Sequence, residues 1–200
     1  MLVFWKQKLV LLAVPKTGTT ALEAALLPHA DAAIVNPPSM KHVPYRRYRN
    51  QLARFFEDKG ARPMEVMAVI RDPVDWLGSW YRYRGRAAVA GTPVSTAGLS
   101  FDTFVEGWLT DPPPEYARVG RQSRFVSDGA GGTGVDHLFA YERFDRAIAF
   151  LEDRLGVALH LDRQNVSPAA TLDLSPAIRE RLQHEAAADF ALWAEVSARQ

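Results

Sequence analysis

The stretch Leu9–Thr20, LVLLAVPKTGTT, decides the fold. Its first half, Leu9–Val14, is continuously apolar instead of alternating, which is the pattern of a strand buried on both faces of a parallel sheet. Its second half, Pro15–Thr20, is a tight polar loop, and Ala21–Leu27 beyond it is built from the helix formers Ala, Leu and Glu. Strand, loop and helix in that order aim the loop's backbone N–H groups at one point, where the helix dipole also favours negative charge. Gly18 lets the backbone turn and approach a ligand, Thr19 and Thr20 add hydroxyl donors, and Lys16 supplies a point charge. The loop reads as a cradle for an anion; the plainer alternative is an ordinary strand–helix turn with an exposed lysine. It is not the string GxxxxGK[ST], because no Gly-Lys pair occurs in the chain and the lysine here precedes the glycine.

Working outward, strands and helices alternate. Ala32–Val35 is a candidate second strand ended by Pro37 and Pro38, and Arg46–Lys59 reads as a helix stopped by Gly60. Glu65–Ile70 (EVMAVI) is another buried strand, and Val74–Val89 follows it as a helix with apolar positions Trp76, Leu77, Trp80 and Tyr81. Phe101–Leu109 is a short helix capped by Ser100, and Ser127–Gly134 is a glycine-rich loop. His137–Tyr141 is a third good strand, Phe144–Leu155 a helix, and Ser175–Val196 one long amphipathic helix begun by a Ser-Pro pair. This order predicts an α/β chain, a three-layer αβα sandwich around a central parallel sheet, in a single domain spanning residues 1–200.

Composition narrows the functional classes. With 200 residues, 48% hydrophobic and 24% charged, the chain is long enough for one buried core and is neither disordered nor a simple coiled coil. It has no cysteine, so disulfides, thiolate metal sites and cysteine nucleophiles are excluded. Residues 41–86 hold eleven Lys/Arg against five Asp/Glu, while the whole chain carries only +1. A basic centre in a neutral protein points to an anionic ligand more than to a tail that coats nucleic acid. No segment reaches the roughly 18 apolar residues of a membrane span. The apolar run Leu9–Val14 is too short for a secretory signal and is followed by Lys16, so a cytoplasmic protein is expected.

A second motif lies at the end of the EVMAVI strand. Arg71-Asp72-Pro73 terminates it, with Ser79 two helical turns later, and ligands in open α/β sheets bind beyond the carboxyl ends of strands. Arg71 and Ser79 converge on one phosphate in this reading; alternatively Arg71 pairs with Asp72 or Asp75 to staple a turn. Together, PKTGTT and RDPVDWLGS resemble two motifs of the sulfotransferases that use 3′-phosphoadenosine 5′-phosphosulfate (PAPS), namely the 5′-phosphosulfate loop and the 3′-phosphate motif. Tyr141-Glu142, Asn165-Val166-Ser167 and the terminal LSPAIRE…DF helix resemble the branch that includes carbohydrate sulfotransferases. The resemblance runs from residue 9 to about 193 and implies the P-loop NTPase-like sulfotransferase fold.

Laid on this chain, the resemblance implies that Pro15, Lys16, Thr17, Gly18, Thr19 and Thr20 hold the 5′-phosphosulfate and that Arg71 and Ser79 hold the 3′-phosphate. Tyr141 would contact the adenine, and Asn165 and Ser167 would close over the nucleotide. Lys16 would offset charge growing on the departing phosphate oxygen, with 3′-phosphoadenosine 5′-phosphate (PAP) released and no metal required. The acceptor would be a hydroxyl, on a carbohydrate or glycolipid. Of five histidines, His42 is the candidate general base: it lies between the two motifs, where related carbohydrate sulfotransferases carry a catalytic histidine. No carboxylate lies in residues 36–56 to replace it, while Lys41 is a candidate for assisting the leaving group or binding the acceptor.

The run Arg46, Arg47, Arg49 and Arg54, interleaved with Tyr45 and Tyr48, is read first as a solvated helix face with tyrosines packed inward. An anionic acceptor and single-stranded nucleic acid are its alternatives, nucleic acid the least favoured. One of Arg82, Arg84 and Arg86 is expected at the 3′-phosphate, and spacing does not choose among them. Residues 129–134 satisfy GxGxxG but precede a strand and open no helix, so a dinucleotide site is not expected. Trp76, Trp80, Trp108 and Trp193 read as core. Competing functions are an ATP-dependent P-loop kinase and a non-catalytic nucleotide-binding protein.

Overall fold

The computed structural model describes residues 1–60, 62–161 and 172–199. Its centre is a five-stranded sheet in the order β3-β1-β2-β4-β5, formed by β1 (Leu2–Phe4), β2 (Leu9–Leu11), β3 (Ala32–Ala33), β4 (Glu65–Ile70) and β5 (His137–Ala140). The strands β2, β4 and β5 are parallel, with Val10 opposite Val66 and Val69 opposite Phe139. Beyond its ladder β2 continues in line, since the Leu12 N–H donates to the Met67 carbonyl at 2.9 Å.

The expectation of a parallel sheet therefore needs one correction. β1 enters between β2 and β3 and runs antiparallel to both, through the pairs Leu2↔Leu11 and Leu2↔Ala33. A four-residue turn over 5–8 joins β1 to β2, with Lys8 at φ 53° and its N–H on the Trp5 carbonyl at 3.1 Å. Beside it, β3 is two residues long, shorter than the expected Ala32–Val35.

Side chains alternate between the two faces, as the strand period of two demands. Val3, Val10, Leu12, Val66, Ala68 and Ile70 pack with Tyr48, Phe56, Phe125 and Val196. Those partners come from the helical run over 45–60, from α7 (Gln122–Val126) and from α10 (Ala187–Ala198). Leu2, Phe4, Leu9, Leu11, Met67 and Val69 pack on the other face with Leu22 and Leu26 of α1 (Thr19–Leu26) and Ala147 and Leu151 of α8 (Phe144–Leu155). Helices on both faces of a sheet are the three layers expected.

A third cluster, unforeseen in the sequence, lies to one side of the sheet. Trp76 and Leu77 of α5 (Pro73–Arg84) meet Phe101, Phe104 and Trp108 of α6 (Phe101–Leu109) and Leu182 of α9 (Pro176–Glu185). The single helix expected over 175–196 is divided at Ala186, whose φ −111° and ψ 24° leave the helical region. The helix expected over 46–59 is likewise composite: α3 (Tyr45–Arg47), a π turn (Tyr48–Leu52) and α4 (Ala53–Gly60). On that run Tyr48 is fully buried while Arg49 pairs with Glu57 and Arg54 with Asp58, the arrangement of a solvated face with its tyrosine inward. Among the described residues, no helix is long and apolar enough to cross a membrane.

Ser100 caps α6 as expected, accepting from the Thr103 N–H at 3.1 Å. Replacing it with Ala is expected to lower stability by about 1 kcal/mol, and with Gly by only a few tenths, in urea unfolding followed by circular dichroism.

Candidate functional site

The β2–α1 loop is tied to α5 at Pro15 and at Lys16. The Trp76 indole N–H donates to the Pro15 carbonyl at 2.8 Å, which places the first half of the loop against the first turn of α5. Lys16 takes φ +67°, and its ammonium lies 3.1 Å from the centre of the Tyr83 ring and 4.8 Å from that of Trp80. Trp80 is thus not only core, as helical spacing implied; it forms part of the surface on which the loop lysine rests. Gly18 takes φ +76° at the start of α1, where Ala21 is the first residue to donate back to the Gly18 carbonyl. The amides before it lie at the open, electropositive end of the helix.

The threonines divide. Thr17 is fully buried and its hydroxyl donates to the Val14 carbonyl at 2.9 Å, so that hydroxyl braces the loop instead of facing a ligand. Thr19 is buried and Thr20 exposed.

Gly18 also faces Tyr141 and Phe144, in the segment that follows β5. A Cβ at this position would stand 3.0 Å from both the Tyr141 and the Phe144 rings, so only glycine fits without displacing them. Tyr141 opens the turn after β5 instead of ending the strand, and the Arg71 guanidinium lies 4.6 Å from the centre of its ring. Loop glycine, aromatic ring and arginine, drawn from three separate segments, therefore meet at the carboxyl ends of β2, β4 and β5.

Of the two carboxylates that could staple Arg71 into its own turn, Asp72 is instead the cap of α5, accepting from the Asp75 N–H at 2.9 Å, while Asp75 does form an ion pair with Arg71 at 3.6 Å. The Arg71 Nε is buried with no partner among the described residues. Ser79 is 7% exposed on α5, which leaves Arg71 as the more accessible donor of the pair.

The two arginines of α5 and Arg86 just beyond it sort themselves by neighbour. Arg82 feels Arg71: burial first, then the charge of Arg71, holds its pKa below the usual arginine value. Arg84 and Arg86 border Lys16, and Arg84 is engaged with the Glu115 and Arg118 carbonyls at 2.7 and 3.0 Å. Arg82 is thus the member coupled to Arg71.

Burial, and then the charges of Arg86 and Arg84, lower the Lys16 pKa to about 7. The other lysine singled out in the sequence, Lys41, forms an ion pair with Glu23 of α1 and is not held in reserve for an acceptor. His42 ends a helical turn, α2 (Pro38–Lys41), with its Nδ1 at 2.7 Å from the Ala13 carbonyl. Nδ1 must therefore carry the proton and donate, which leaves Nε2 with a lone pair. Burial first, with a further contribution from Lys41, keeps the ring below the ordinary histidine pKa.

Residues 129–134 form a turn bridged between Ser127 and Thr133 and open no helix, as expected. Asn165 and Ser167 lie outside the described residues. Glu142 adds a contact that residue types did not reveal: it accepts from the Asp72 N–H at 2.9 Å and from the Trp193 indole at 3.0 Å, joining the Arg71 turn to α10. No family model matches the chain, and no curated protein or solved structure matches it either.

The lysine leaves a signature in stability. The folded chain holds the Lys16 proton only below about 7, whereas the unfolded chain keeps it to about 10.5, so folding is penalised below 7 and gains stability as pH rises between these values. The urea midpoint of the wild type is expected to climb relative to Lys16→Met across that interval; parallel curves would refute the assignment.

Proposed function

We propose that the chain is a PAPS-dependent sulfotransferase acting on a hydroxyl, with a carbohydrate or glycolipid acceptor as the resemblance implies. The observation that carries this reading is the meeting of Gly18, Tyr141 and Arg71, which joins the two motifs into one site of nucleotide character. The residues present suit such a ligand: an aromatic ring for the base, an arginine whose Nε lacks a partner among the described residues, and a lysine flanked by two arginines at the other pole. Bound PAPS supplies an activated sulfuryl group: sulfur forms a bond to the acceptor oxygen as its bond to the 5′-phosphate oxygen breaks, and PAP leaves.

The chain's own residues divide the remaining work. Arg71, with Arg82 beside it, holds the 3′-phosphate, and Tyr141 and Gly18 bound the nucleoside between the poles. Lys16 takes up a proton when an anion enters the loop, because the new negative charge offsets the neighbouring guanidinium groups, and the ammonium then stabilises charge on the departing phosphate. His42 Nε2 takes the proton of the acceptor hydroxyl, while the bond from Nδ1 to Ala13 fixes ring and tautomer.

Thermal unfolding tests the reading directly, with PAP, ATP plus Mg²⁺, and ADP added separately. A ligand at a hundred times its Kd stabilises by about 2.7 kcal/mol, or roughly 5–10 °C for a chain of this size. The expected result is a shift with PAP that needs no metal and is lost in Arg71→Ala. A shift with ATP and Mg²⁺ but not with PAP would replace the sulfotransferase by a kinase. In the same assay His42→Ala is expected to retain the PAP shift while sulfuryl transfer is abolished; full activity in that variant would remove His42 as the base.

A further inference from the structure

The turn that carries Arg71 is held by a side chain that no motif marks. Gln122, the first residue of α7, is 2% exposed, and its amide faces the Arg71 backbone. Oε1 accepts from the Arg71 N–H at 2.9 Å, and Nε2 donates to the Arg71 carbonyl at 2.7 Å. The last register pair of β4 with β5 is Ile70↔Ala140, so Arg71 is the first residue beyond the ladder. The Gln122 amide thus satisfies both polar groups of a residue that the sheet no longer pairs.

Among the described residues the guanidinium itself has little to fix it: the Tyr141 ring at 4.6 Å, Asp75 at 3.6 Å, and an Nε without a partner. Its aim is therefore set from the backbone. Gln122 is in turn seated by its neighbours. The Ser123 N–H donates to Asp189 Oδ1 at 3.0 Å, and Arg121 lies 3.6 Å from Asp189 and 4.1 Å from the centre of the Trp108 ring. Asp189 is 4% exposed on α10.

We propose that Gln122 is a positioning residue that gives the site its preference for nucleotides carrying a 3′-phosphate. The inference rests on the role given to Arg71 above. Gln122 touches no ligand; it acts by holding the Arg71 backbone so that the guanidinium meets the 3′-phosphate. Releasing that backbone weakens ligands that own a 3′-phosphate and spares those that lack one, whereas general loss of packing weakens both.

Calorimetric titration of the full chain with PAP and with adenosine 5′-phosphate separates these cases. Gln122→Met keeps the volume and removes both hydrogen bonds; PAP affinity is expected to fall about tenfold and adenosine 5′-phosphate affinity to stay unchanged. Equal losses for both ligands, or no loss for either, would overturn the proposal. If Gln122→Met does not fold, Gln122→Glu serves: its ionised form cannot donate to the Arg71 carbonyl, and its protonated form can. PAP affinity, taken relative to wild type at each pH, is then expected to recover as the pH falls, and an absence of recovery overturns the proposal. A wild-type chain that binds PAP no better than adenosine 5′-phosphate removes the 3′-phosphate site itself, a failure visible before any variant is made.

Discussion

The hydrogen bond from the Trp76 indole to the Pro15 carbonyl is the joint on which the site depends. A buried indole N–H needs a partner, and Trp76 at 3% exposure finds it in the backbone of the β2–α1 loop. The same helix begins one residue after its Asp72 cap, directly after Arg71, and ends with the rings and arginines that surround Lys16. α5 is thus a ruler between two motifs that lie more than fifty residues apart in the chain. Movement of α5 against the sheet would shift together the turn that carries Arg71 and the rings on which Lys16 rests.

Much of this was legible in the sequence, for identifiable reasons. A continuous apolar run before PKTGTT reads as a buried strand, and Ser100 is a chemical start signal that its helix obeys. β1 was not legible: Leu2, Val3 and Phe4 are buried without alternation, and nothing in their composition says that they run against their neighbours. The break at Ala186 was hidden because good helix formers continue through it. Trp80 was read by helical period, which reports the core but not a loop arriving from another strand, and Tyr83 beside it was not singled out. Gln122 carries no signal of residue type, since it acts on the backbone of a residue 51 positions away.

The two lysines near the loop show how environment assigns roles to identical side chains. Lys41 meets Glu23, and the pair is neutral without help. Lys16 meets aromatic faces and two guanidinium groups, so its charge is opposed by burial and repulsion and is attracted only by the weaker field of the rings.

The insertion of β1 has a consequence for how the molecule meets others. On that side the sheet ends in β3, a strand of two residues, where a parallel sheet of the expected kind would have offered a longer free edge. Unpaired edges are templates on which foreign strands polymerise, and one effective defence is brevity. An intruding segment would find only a pair of residues to dock against, too little ladder to hold it. The hairpin that complicates the topology also makes that border of the sheet self-limiting.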